Sequence, residues 1–211
     1  VGVVRGDALV SRSRSIAASA FLRSDADVLL SIDADIQFRA VDAIALCQKA
    51  LEKQIIGALY MTRNLHTQPA LMLGEEEVIF DANAEPVEVQ FASTGFMAVT
   101  RPPLEALRAT LPLCHESWGM SAFWPFYMPF TVEWPGDGHV YLSEDWAFCQ
   151  RAKDAGFHIW LDPSIRLSHH GSYAFELEDL LRPPKLSVTP LSLSRHSDGT
   201  LNTHVLERTS R

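Results

Sequence analysis

Short apolar runs alternating with helix-periodic segments predict an α/β fold, a sandwich with a mostly parallel central sheet. Three observations carry that expectation. Residues 28–32 and 55–60 read as buried strands, because they are short, apolar and rich in branched side chains. Helix-period segments at 8–22 and 41–51 stand before and between them. A further helix at 144–155, followed by a strand at 158–161, repeats the unit late in the chain.

Element by element, 1–4 reads as a short strand with Gly6 and Asp7 as its turn. The helix over 8–22 places Leu9, Ile16, Ala17, Ala20 and Phe21 on its apolar face, and Ser24 and Asp25 end it. Asp33 and Asp35 stand at the end of the 28–32 strand. The 41–51 helix is expected to bury positions 41, 44, 45, 48 and 51. Short β-like pieces follow at 70–73, 78–80, 87–90 and 95–100. Pro102 and Pro103 suit the first turn of a helix reaching Leu111. Residues 112–140 are loop-like and crowded with aromatics. The 144–155 helix has Ser143 as N-cap, acidic residues in its first turn and Gly156 as its stop. Domain organisation reads as one unit over 1–176, with 177–211 a linker or mobile tail where Pro, Ser and Thr rise and periodicity fades.

The 211 residues, 47% hydrophobic and 21% charged, exclude a wholly disordered chain and a collagen-like repeat. A net charge of −8 argues against a nucleic-acid-binding face. No apolar run reaches the roughly 18 residues of a membrane span. Three scattered cysteines, Cys47, Cys114 and Cys149, form neither a disulfide framework nor a zinc motif, and suggest a cytoplasmic setting.

Chemistry concentrates in four places. Asp33 and Asp35 follow a buried strand, where i and i+2 side chains share a face. They are thus expected to project together from the sheet edge at which open α/β folds bind ligands. A divalent cation relieves the repulsion of such a pair; a solvated turn is the plainer reading. Glu144 and Asp145 open a helix, either complementing its dipole or supplying a general base. His169 and His170 follow the last strand and offer imidazole to a metal such as manganese. Arg12 and Arg14 belong to a solvated helical face or clamp a diphosphate. The aromatics Trp118, Phe123, Trp124, Phe126, Tyr127, Phe130 and Trp134 either anchor loops or line a cleft for sugar rings.

Taken in order, five stretches resemble a GT-A-type glycosyltransferase, a nucleotide-sugar transferase with an Asp-x-Asp motif. They are 6–14 (GDALVSRSR), 29–36 (LLSIDADI), 93–97 (STGFM), 142–156 (LSEDWAFCQRAKDAG) and 167–173 (LSHHGSY). The similarity is nearest to small bacterial and viral members. The resemblance implies that Asp35 is the principal ligand of Mn²⁺ or Mg²⁺, with Asp33 on the ribose or the metal shell. It implies His169 as the second protein ligand, with His170 as substitute. Arg14 and Arg12 are then placed near the donor diphosphate, and Gly95 and Phe96 beside the acceptor pocket. Asp145, with Glu144 beside it, takes the catalytic carboxylate position. The implied activity is transfer of a sugar from a nucleotide-diphosphate donor to a saccharide or other hydroxyl acceptor. Such proteins usually begin with a strand that holds the nucleotide base. Here the chain opens at what corresponds to the second strand, so an N-terminal truncation is expected, and the residue after Arg14 is Ser15 where similar sequences often have Asn.

Two alternatives stand beside this reading. A phosphatase-like hydrolase also places Asp-x-Asp after a strand, but it normally has Thr or Val where this chain has Gln37, and Lys153 and Lys185 stand in unconvincing contexts for its lysine. A carbohydrate- or nucleotide-binding remnant without turnover is the other.

Overall fold

The computed structural model describes residues 2, 7–62, 71–72, 83–115, 122–133, 138–171, 174–176, 191–195 and 201–205. The chain enters with α1 (Val10–Leu22), β1 (Val28–Ile32), β2 (Ile36–Gln37), α2 (Ala40–Lys53) and β3 (Ile55–Ala58). Short strands β4 (Leu71–Met72), β5 (Val87–Val89) and β6 (Phe91–Ala92) lead to β7 (Phe96–Thr100) and α3 (Arg101–Thr110). After β8 (Cys114–His115) and β9 (Ala122–Phe123), a hairpin of β10 (Phe130–Glu133) and β11 (His139–Leu142) precedes α4 (Glu144–Asp154) and β12 (Ile159–Asp162). Strands β13 (Ser168–His170) and β14 (Ala174–Phe175) follow. Within the C-terminal segment, β15 (Leu191–Arg195) and β16 (Leu201–Val205) pair antiparallel. The proposed strand at 78–80 and, apart from residue 2, the one at 1–4 lie outside the described residues.

The five-stranded sheet runs β1-β7-β3-β12-β5. The α/β class holds, but the expected mostly parallel sheet does not. Only β3 and β12 pair parallel, while β1–β7, β7–β3 and β12–β5 are antiparallel. The cause is β7, which inserts between β1 and β3 in the opposite sense. Its run Phe96–Thr100 is buried throughout, and a strand buried on both faces reads the same in either direction. Strands β1, β3 and β12 still share one direction, so their C-terminal ends meet at one rim.

Alternation along the central strands splits the core into two layers. Ile55, Met97, Val99, Ile159 and Leu161 face Phe21, Leu104, Leu107, Phe148 and Ala152 from α1, α3 and α4. Ile56, Ala58, Phe96 and Ala98 face Leu46 and Ala50 from α2. The predicted apolar face of α2 is corrected here. Val41, Ile44 and Leu51 are 63%, 59% and 64% exposed, whereas Asp42, Leu46 and Ala50 are buried. Arg39 forms two hydrogen bonds to Asp42 at 2.8 and 2.6 Å, so the inward acid is paired. Likewise α1 buries Ser15 and Ser19 while Leu9 is exposed. The Oγ atoms of Ser19 and Ser15 accept the Trp124 and Tyr127 N–H groups at 2.9 and 3.2 Å, anchoring the aromatic segment to the helix.

Candidate cation and carboxylate site

The rim where β1, β3 and β12 end gathers residues from six parts of the sequence. Beyond β1 the chain turns at once, with the Ile36 N–H donating to the Asp33 carbonyl at 3.1 Å. Asp33 and Asp35 therefore stand in a turn and not in a strand, so the strand rule that would aim both carboxylates one way does not apply. Their partners differ.

Asp33 turns toward α1. The Arg14 guanidinium donates through one nitrogen to both Asp33 oxygens at 3.0 and 2.9 Å. Its other terminal nitrogen donates to Glu144 Oε1 at 3.1 Å and to Asp145 Oδ1. The buried Thr94 hydroxyl donates to the same Asp145 oxygen at 2.7 Å. Ser143 occupies the N-cap position of α4 as expected, yet its side chain makes no capping bond. The first-turn acids bind Arg14. Burial alone would lower the guanidinium pKa, but Asp145, Asp33 and Glu144 outweigh it and hold the pKa above its ordinary value. With an Arg14 side chain only 10% exposed, one fixed positive charge sits among three carboxylates.

Asp35 turns toward β13. Its carbonyl accepts the His170 N–H at 2.8 Å, and its Oδ2 lies 3.5 Å from His169 Nε2. His169 Nδ1 lies 2.7 Å from the Met61 carbonyl. A carbonyl only accepts, so Nδ1 carries a proton, and in the neutral ring Nε2 presents its lone pair toward Asp35. Two electron-rich atoms face each other there.

The remaining expected site residues divide. Arg12 is not brought to the rim; it hydrogen-bonds Asp7 at 2.8 and 2.6 Å. Gly95 is at the rim: its carbonyl accepts the Asp33 N–H at 2.9 Å, and its own N–H donates to the Tyr60 hydroxyl at 3.2 Å. Phe96 is 0% exposed and packs under Phe38, with ring centroids 5.3 Å apart, so its side chain does not reach a ligand. His170 Nε2 binds Gln37 Oε1 at 2.6 Å. Ala34, Asp35, Ile36, Gln37, Phe38 and His170 line an open cleft of about 380 Å³. The described aromatics of the 118–134 stretch do not line that cleft. Phe126 and Tyr127 are buried, Trp124 lies against Arg23 and Arg108, and Phe130 against Arg151. Trp118 and Trp134 lie outside the described residues.

As a metal centre, the pair of Asp35 and His169 fits in kind and spacing. Carboxylate and imidazole ligands on one ion at roughly 2.0–2.2 Å each stand about 3 to 3.5 Å apart. Asp33, expected beside them, is engaged by Arg14. Among the described residues no group of three or more His, Cys, Asp or Glu side chains converges as a complete cage. Such a centre takes its other ligands from substrate or water, as an open site does. Sequence reasoning missed three contributors, Tyr60, Met61 and Thr94. Tyr60 was read only as the end of a strand, Met61 acts through its backbone, and Thr94 entered only as part of the 93–97 stretch.

No protein-family model matches the chain, and no curated protein matches it. Among solved structures it is similar to the crystal structure of A197 from STIV. The TM-score is 0.50 and the identity 17%, over 97% of this chain and 82% of that one. That likeness supports the α/β fold alone. No helix among the described residues is long and apolar enough to cross a membrane.

Proposed function

We propose that the chain is a metal-dependent glycosyltransferase domain of GT-A type, moving a sugar from a nucleotide-diphosphate donor to a saccharide or other hydroxyl acceptor. The observation that supports this reading best is the meeting of Asp35 Oδ2 and His169 Nε2 at 3.5 Å, from stretches far apart in sequence, beside a second cluster of acids held by Arg14. Asp35 and His169 would hold Mn²⁺ or Mg²⁺, which as a Lewis acid stabilises negative charge on a departing diphosphate. An acidic rim accepts an anionic donor only with such a countercharge.

The chain's own residues supply the rest. In this reading Asp145, held by Arg14 and Thr94, would accept the acceptor hydroxyl proton, with Glu144 flanking it. Arg14 keeps these acids together without mutual expulsion, and its fixed charge lies next to Asp33, where the donor ribose and diphosphate would arrive. Three free cysteines, Cys47, Cys114 and Cys149, fit a cytoplasmic reaction.

The test is a thermal-shift screen of nucleoside diphosphates with and without Mn²⁺, followed by incubation with the corresponding nucleotide sugars. One diphosphate should raise the melting temperature only when Mn²⁺ is present, since ligand binding to the native state stabilises by mass action. Release of that diphosphate from its nucleotide sugar identifies turnover. Binding without release identifies a non-catalytic sugar-nucleotide module, and no shift with any nucleotide refutes the proposal.

A further inference from the structure

The two halves of the proposed cation centre come from different segments, and one side chain is linked to both. Tyr60 follows β3 and is 8% exposed. Its hydroxyl accepts the Gly95 N–H at 3.2 Å, and the Gly95 carbonyl in turn accepts the Asp33 N–H at 2.9 Å. The turn carrying Asp33 and Asp35 is thus tied to the phenol through one residue. On its other side the Tyr60 ring packs edge-on against His169, with centroids 5.1 Å apart and planes at 80°. The next residue, Met61, provides the carbonyl that fixes the Nδ1–H tautomer of His169.

Space around the phenol is tight. A Cβ built on Gly95 would stand against the Tyr60 hydroxyl, 2.7 Å from the ring carbon that carries it and 3.0 Å from Asp33 Oδ2. Glycine is required there by close approach, since its φ is not in the left-handed region. Burial, with Asp145 and Asp33 nearby, raises the phenol pKa above its ordinary range, so the hydroxyl stays protonated.

The structure assigns Tyr60 as a positioning residue for the cation centre, holding the Asp35 turn and His169 at ion-sharing separation through its bond to Gly95 and its ring contact with His169. This rests on the reading of Asp35 and His169 as metal ligands. Partners that orient ligands typically matter about 10- to 100-fold in metal affinity. Tyr60→Phe keeps the ring and removes the bond to Gly95, so it changes the turn's anchorage while sparing the core.

The experiment is a Mn²⁺ titration of the full chain, followed by the electron paramagnetic resonance of free Mn²⁺, on wild type, Tyr60→Phe and Ile159→Val. Ile159 is buried in β12 and touches neither loop, so its variant lowers stability without altering the centre. The inference expects Tyr60→Phe to weaken Mn²⁺ binding by about 10-fold or more, with native circular dichroism, and Ile159→Val to lower the melting temperature with unchanged Mn²⁺ affinity. Equal Mn²⁺ affinity in wild type and Tyr60→Phe overturns the assignment and leaves the metal site standing. A similar loss in both variants also overturns it, because general softening then accounts for the effect. Wild-type chain that binds no Mn²⁺ overturns the metal reading itself, and this inference with it.

Discussion

Asp33 and Asp35 leave the same turn and meet different partners. Asp33 is answered by Arg14, a permanent charge carried on a buried stem and shared with Glu144 and Asp145. Asp35 is answered by His169, whose Nδ1 proton is committed to the Met61 carbonyl. The one Arg14 guanidinium answers three carboxylates. An imidazole with one nitrogen already bonded leaves an exchangeable place for a proton or a metal ion. One half of the rim is therefore held by a permanent charge, and in the other a carboxylate faces the second ring nitrogen of a histidine.

Variants on each half test that division. Asp35→Ala should have the largest effect, a loss of about 10³-fold or more in Mn²⁺-dependent sugar transfer, because a Lewis-acid contribution of several kcal/mol goes with the ion. The melting temperature should stay near that of wild type, which thermal unfolding checks. Asp145→Asn should lower turnover by at least about 10²-fold while leaving Mn²⁺ affinity unchanged, as loss of a proton acceptor does. Steady-state rates and a Mn²⁺ titration separate those two outcomes. Arg14→Leu should cost about 2–3 kcal/mol of stability, less than a fully buried pair because its partners reach solvent. Denaturant unfolding measures it. Gly95→Ala should cost about 1–2 kcal/mol through overpacking against Tyr60, read the same way.

The smallest effect belongs to a carboxylate–guanidinium pair away from the rim. Arg12 holds the Asp7 carboxyl at a pKa of about 2, mainly by hydrogen bonding, with the Leu9 N–H adding to it. A depressed folded-state pKa gives stability that is present above about pH 4 and is lost as pH falls toward 2. Asp7→Asn should therefore lower the melting temperature slightly at pH 7, and that difference should shrink as pH falls through about 2. An equal effect of Asp7→Asn and Arg14→Leu at pH 7 would erase the distinction between the rim and an ordinary pair.

Much of the rim was legible in the sequence where short-range chemistry decides. The apolar run before Asp33 forms β1, the acids at 144 and 145 open α4, and His169 lies directly after the loop that follows β12. What was not legible depends on distant partners. The direction of β7 is invisible in Phe96–Thr100, because burial on both faces removes the alternation that would reveal its setting. The outward setting of Val41, Ile44 and Leu51, with Asp42 inward and paired to Arg39, runs against the hydrophobic pattern that the sequence shows. The separate fates of Asp33 and Asp35 depend on a turn bond from the Ile36 N–H that the Asp-x-Asp spacing does not encode. Met61 works through a backbone carbonyl, for which side-chain identity carries no signal.

The central claim is that Asp35 and His169 share an ion. The most direct measurement is calorimetric titration of Mn²⁺ into wild type, Asp35→Ala and His169→Ala at neutral pH. Wild type is expected to bind one Mn²⁺ per chain, and each variant to lose that binding. Equal binding in all three, or none in wild type, would contradict it and leave the 3.5 Å approach as a histidine–aspartate ion pair.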